Sequence, residues 1–176
     1  MQHVPNLVSA ARLLLVVPLV WAISTERATL ALVLGVVALA SDALDGIIAR
    51  HYGVESELGR ILDPLADKVL AAAVALALLV RHALPLWYVV AIVARDVLIV
   101  AGSVVLRPRI GHVPPSLPIG KAAATSIGIV LLAVIAGVPR AAIEWLALAS
   151  TVLLAWSLAV YAARLRQLVR RDSLSN

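Results

Sequence analysis

Asp42-Ala43-Leu44-Asp45-Gly46-Ile47-Ile48-Ala49-Arg50, followed after eight residues by Gly59-Arg60-Ile61-Leu62-Asp63-Pro64-Leu65-Ala66-Asp67-Lys68, is the stretch on which the fold turns. Apolar runs flank it on both sides, Thr29 leading in and Val80 closing, so the carboxylates lie inside or beside segments long enough to cross a bilayer. A carboxylate at the centre of such a span costs about 2.5 to 3.5 kcal/mol, and four uncompensated ones on the order of 10 kcal/mol. Helical spacing gathers them. Asp42 and Asp45 are three apart with Gly46 and Ala49 continuing the stripe, and Asp63 and Asp67 are four apart with Gly59 one turn earlier. Each pair shares one helix face, and antiparallel helices joined by a short loop would bring both pairs to a similar depth.

Outward from this stretch the composition is that of a membrane protein. Of 176 residues, 62% are hydrophobic and 14% charged, and the mean hydropathy is +1.02. There is no cysteine, which excludes disulfides, thiolate metal sites and thiol catalysis. The net charge of +5 is spread thinly between apolar runs, and reads as topology and contact with anionic lipid; no nucleic-acid partner is expected. Six apolar runs fill the chain: Asn6 to Ile23, Thr29 to Arg50, Ile61 to Val80, Pro85 to Leu106, Pro118 to Val138 and Ala141 to Ala163. The expected fold is all-α, a polytopic integral membrane protein with six transmembrane helices forming a single domain over 1–176. The first run has no basic region ahead of it and reads as a retained helix, not a signal peptide.

An even number of spans puts both termini on the side of the second and fourth loops. That side holds Arg50, Arg60, Arg107, Arg109, Lys121, Arg164, Arg166, Arg170 and Arg171, against Arg27, Arg81 and Arg140 on the other. The asymmetry places both termini, and the carboxylates, in or facing the cytoplasm of a bacterial-type inner or plasma membrane. Converging carboxylates repel one another and protonate unless divalent metal neutralises them. All-oxygen ligands point to magnesium, manganese or calcium, not zinc. The small residues Gly46, Ala49 and Gly59 leave room beside them for a diphosphate-bearing ligand, an arrangement suited to phosphoryl-type transfer between a lipid and a soluble partner.

The pattern Asp42-x-x-Asp45-Gly46-x-x-Ala49-Arg50, eight residues, Gly59, three residues, Asp63, three residues, Asp67 resembles the complete signature of the CDP-alcohol phosphatidyltransferases. The resemblance implies two divalent ions, Mg2+ or Mn2+, held by Asp42, Asp45, Asp63 and Asp67, with Asp67 also the general base, and Gly46, Ala49 and Gly59 bordering the nucleotide. It implies CDP-diacylglycerol as donor, an alcohol acceptor, CMP as product and a homodimer. Glycerol 3-phosphate is the first acceptor expected, as in a phosphatidylglycerophosphate synthase, and Pro5-Asn6 resembles the Pro-Asn opening of members related to phosphatidylglycerophosphate synthase and cardiolipin synthase. Leu62 to Lys68 and Arg95-Asp96-Val97 look like cardiolipin synthases, whose acceptor is phosphatidylglycerol. An inositol phosphate is a third acceptor, and a divalent-cation transporter the alternative from another class.

The remaining charges divide more evenly between roles. Lys121 and Arg164, at cytoplasmic helix ends, can bind an anionic acceptor or merely set topology. Arg50 reads as a snorkelling residue or a ligand. Arg12, Arg95 and Asp96 are expected to pair within the membrane, Arg95 and Asp96 with other helices because adjacent helical residues point about 100° apart. Asn6 and Asp63 have a second reading as helix N-caps. His3, His51, His82 and His112 lack metal-ligand spacing and are expected in loops.

Overall fold

The computed structural model describes the backbone of residues 4–52, 57–110 and 118–175, and side chains over 11–41, 66–102 and 118–168. Among the described residues it contains six helices: α1 (Val4–Ser24), α2 (Ala28–Tyr52), α3 (Glu57–Val80), α4 (Leu86–Ile110), α5 (Pro118–Ile135) and α6 (Arg140–Ser175). No strand occurs among the described residues. Number and order follow the apolar runs, and most ends move outward, because polar residues beside an apolar run still satisfy their backbone groups best by continuing the helix, whereas α4 starts one residue after Pro85 and α5 stops at Ile135, short of Val138. Thus α3 opens at Glu57 instead of Ile61, which puts Asp63 well inside it and removes the N-cap reading; Asn6 lies inside α1 likewise. His51 is in the last turn of α2, not in a loop. His3 and His112 lie outside the described residues.

The chain divides into two compact units, Met1–Leu84 with Leu131–Arg140, and Pro85–Val130 with Ala141–Asn176. In the first unit, α1 packs along both α2 and α3. Its interior is built of Leu19, Ala22, Ala31, Ala38, Ala66, Val74, Ala75 and Leu78. Five of these eight are alanine, which lets helix backbones approach closely where no water is present to drive association.

Three helices of this unit stop in the same way. Arg27 N donates to Ala22 O at 2.9 Å and Glu26 N to Ile23 O at 3.2 Å; Ala83 N donates to Leu78 O at 3.0 Å and His82 N to Leu79 O at 2.9 Å; Val138 N donates to Ala133 O at 3.1 Å and Gly137 N to Val134 O at 3.0 Å. Each is a Schellman motif with a left-handed residue, at φ 58° for Glu26, 54° for His82 and 76° for Gly137. Arg81 donates across the turns to the Glu26 carboxylate and to Ser24 O, tying the end of α3 to that of α1.

In the second unit a buried hydrogen-bond chain crosses three helices. The Tyr88 hydroxyl of α4 donates to Ser150 Oγ of α6 at 2.8 Å, and Ser150 Oγ lies 2.8 Å from Ser126 Oγ of α5. Ile92, Ala123, Ile127, Val130, Ile143, Ala147 and Leu154 on the same three helices are buried as well. Large apolar side chains point outward on all six helices, Leu14 being 74% and Trp145 73% exposed, with Val33, Val80, Val90 and Ile129 also on the surface. Small residues inside and large apolar ones outside is the packing of a protein whose solvent is lipid. Among the described residues, two helices are long and apolar enough by length and composition to cross a membrane, Pro118–Ile135 and Arg140–Leu168.

Candidate active site

Asp42, Asp45, Gly46 and Ala49 lie on α2, and Gly59, Asp63 and Asp67 on α3. The backbone is helical through all of them, so the spacings of three and four do place each carboxylate pair on one helix face. The side chains of Asp42, Asp45, Asp63, Gly46, Ala49 and Gly59 lie outside the described residues. Among the described residues no three metal-ligating side chains converge.

Asp67 is the member of the set whose side chain is described. It stays 42% exposed, while Arg12 of α1, only 2% exposed, donates from one guanidinium nitrogen to Asp67 Oδ1. The pair spans the α1–α3 interface, so the expectation that Arg12 is paired inside the membrane is met by a residue of the carboxylate helices. Sequence offered the clue that Arg12 is the sole charge in an otherwise apolar run; the partner depended on which helix α1 covers. The donor set suits a hard divalent cation, since carboxylate oxygens are the ligands such ions take and Asp67 presents an accessible carboxylate.

The second unit holds a separate polar cluster. Arg95 Nη1 donates to Asp96 Oδ1 at 2.6 Å, and Arg95 Nη2 donates to Ser157 Oγ of α6 at 2.9 Å. This corrects the expectation that Arg95 and Asp96 do not face each other. Three methylenes let the guanidinium swing round the helix to its neighbour, which a rule framed on Cβ directions does not capture. A Cβ on Gly120 of α5 would meet Arg95 Nη2 at 3.7 Å and Ser157 Oγ at 3.8 Å, so Gly120 lets α5 approach this cluster. Next to it Lys121 is exposed, and Arg164 on α6 is half-buried.

Comparison with known proteins adds the family. The model described as CDP-alcohol phosphatidyltransferase matches residues 2–164. A cardiolipin synthase (CMP-forming) of Streptomyces coelicolor is 35% identical over 96% of this chain and 85% of its own length. The chloroplastic CDP-diacylglycerol–glycerol-3-phosphate 3-phosphatidyltransferase 1 of Oryza sativa is 43% identical over 60% of this chain, though the match takes in only 32% of the rice protein. A probable phosphatidylglycerophosphate synthase of Mycobacterium tuberculosis is 37% identical over 43% of this chain and 36% of its own.

Proposed function

This chain belongs to the CDP-alcohol phosphatidyltransferase family, and from that premise we propose that it moves a phosphatidyl group from CDP-diacylglycerol onto the free hydroxyl of a phosphoglycerol, releasing CMP. The observation that carries the reading is the unbroken signature from Asp42 to Asp67 on two helices, within a match that covers nearly the whole chain. Asp42, Asp45, Asp63 and Asp67 would hold two divalent ions, Mg2+ or Mn2+. When bound, such ions stabilise the charge that develops on the diphosphate. Asp67 accepts the proton of the acceptor hydroxyl; the freed oxygen bonds to the lipid-bearing phosphorus; the bond from that phosphorus to the bridging oxygen breaks, and CMP carries off the electron pair. Gly46, Ala49 and Gly59 leave space for the nucleotide, and Lys121 and Arg164 are the cations assigned to an anionic acceptor.

Two acceptors fit a phosphoglycerol site. Glycerol 3-phosphate, the acceptor first expected from sequence, is supported by the relatives of Oryza and Mycobacterium. Phosphatidylglycerol is favoured by the Streptomyces relative, which matches along almost the full chain. Six membrane spans, cytoplasmic termini and a homodimer complete the proposal. They are supported by the outward apolar side chains on every helix, the basic residues of the even loops and the family resemblance.

The test is CMP release from CDP-diacylglycerol by the detergent-purified protein with Mg2+ or Mn2+, one acceptor at a time. Release that requires metal and phosphatidylglycerol is the expected result. Release with glycerol 3-phosphate alone makes the chain a phosphatidylglycerophosphate synthase, and release with an inositol phosphate overturns the phosphoglycerol reading. No release with any acceptor, together with metal uptake into sealed vesicles, returns the transporter reading.

A further inference from the structure

Arg12 is almost fully buried, yet its charge meets the one described carboxylate of the proposed metal set. An arginine enclosed between apolar helices needs an anion, and removing that anion from a buried pair is strongly destabilising. A carboxylate intended for a divalent ion needs a counter-charge in the interval before the ion arrives. The contact satisfies both needs at once. It engages Oδ1 while much of the Asp67 side chain stays exposed, so the carboxylate is held from the α1 side and remains approachable from outside.

We propose that Arg12 is the resident counter-cation of the carboxylate cluster, and that an incoming divalent ion competes with it for Asp67, which couples metal loading to the packing of α1 on α3. This rests on the metal-site reading above and goes beyond it by assigning Arg12, which lies outside the signature, a positioning role. Two cations drawing on one carboxylate oppose each other, so the guanidinium weakens metal binding while it stabilises the metal-free chain. It follows that neutralising Arg12 tightens metal binding, the opposite of what losing a merely structural residue would do.

The full chain in detergent is titrated with Mn2+ alone, without substrate, following the signal of the free ion by electron paramagnetic resonance. Thermal melting is recorded in parallel with and without chelator. Arg12→Met, or Arg12→Gln should the former not fold, is expected to bind Mn2+ about tenfold more tightly than the wild type, equivalent to losing about 1.4 kcal/mol of competition. It is also expected to melt lower in chelator and to gain more from Mn2+. In chelator, Asp67→Asn is expected to melt well below the wild type, and Arg12→Met/Asp67→Asn to recover part of the loss, since the double variant removes both charges of the Arg12–Asp67 pair. Mn2+ affinity that is unchanged or weaker in the neutral variants overturns the proposal, as do strictly additive losses in the double variant. Wild-type protein that binds no Mn2+ refutes the underlying metal reading as well, so the two failures are told apart by the wild-type titration.

Discussion

Asp67 carries three demands at one side chain, and the structure shows how they bear on interpreting a variant there. It is a proposed metal ligand, the proposed base, and the observed anion for buried Arg12. Asp67→Asn is expected to lower CMP release by at least about a hundredfold, the scale of losing a positioned base, with metal-dependent turnover as the measurement. Because the same change removes the Arg12–Asp67 ion pair, lost activity in Asp67→Asn counts as catalytic only if a melting curve shows the protein folded. Asp42→Asn, on α2, is judged in the same way: metal-dependent CMP release lost while the melting curve still shows a folded protein is the outcome expected there.

At the scale of the helix and its ends, the three Schellman turns provide a matched comparison. All three hold a left-handed residue, but only Gly137 does so without a Cβ to crowd the backbone. A Cβ at Gly137 would meet nothing within 4 Å, so Gly137→Ala tests backbone strain alone and is expected to destabilise by about 1 kcal/mol. His82→Gly is expected to shift melting in the opposite direction by a similar or smaller amount; equal stability in both variants would mean that the turns are not held in the left-handed conformation. Beside them, Arg81 lowers the pKa of Glu26, chiefly through its hydrogen bond and then through its charge. A carboxylate with a lowered folded-state pKa stabilises above its unfolded value, and the contribution disappears as pH falls through the folded one. Arg81→Ala should therefore melt slightly below the wild type at neutral pH and converge with it in acid. The difference should be small throughout, because the pair is solvent-exposed.

For the whole molecule, α6 has 36 residues, about 54 Å of helix against a hydrocarbon core of about 30 Å. It therefore extends past one face of the membrane. In the proposed orientation that end, with Arg164, Arg166, Arg170 and Arg171, projects through the cytoplasmic headgroup layer. The lack of cysteine makes the native chain a ready background for single-cysteine labelling. With a membrane-impermeant maleimide, Glu26→Cys is expected to react in intact cells and Gln167→Cys only after permeabilisation. Labelling of Gln167→Cys in intact cells would invert the topology, and equal labelling of both would remove the even number of spans.

Sequence alone determined the helical architecture, the six elements and the carboxylate pattern, because each is set by local periodicity: apolar runs fix helices, and spacings of three and four fix shared faces. It also made the family legible, since the signature is a matter of residue identity at fixed intervals. Helix ends were less legible, because Glu57 and the tail beyond Ala163 are polar residues kept helical by their own backbone hydrogen bonds. What only the tertiary structure decided is which charges meet. Arg12 finds Asp67 because α1 packs on α3, and Arg95 turns to Asp96 while reaching Ser157 because α6 offers a hydroxyl. Long side chains in a medium without water take whichever partner packing brings within reach, and no spacing along the chain encodes that choice.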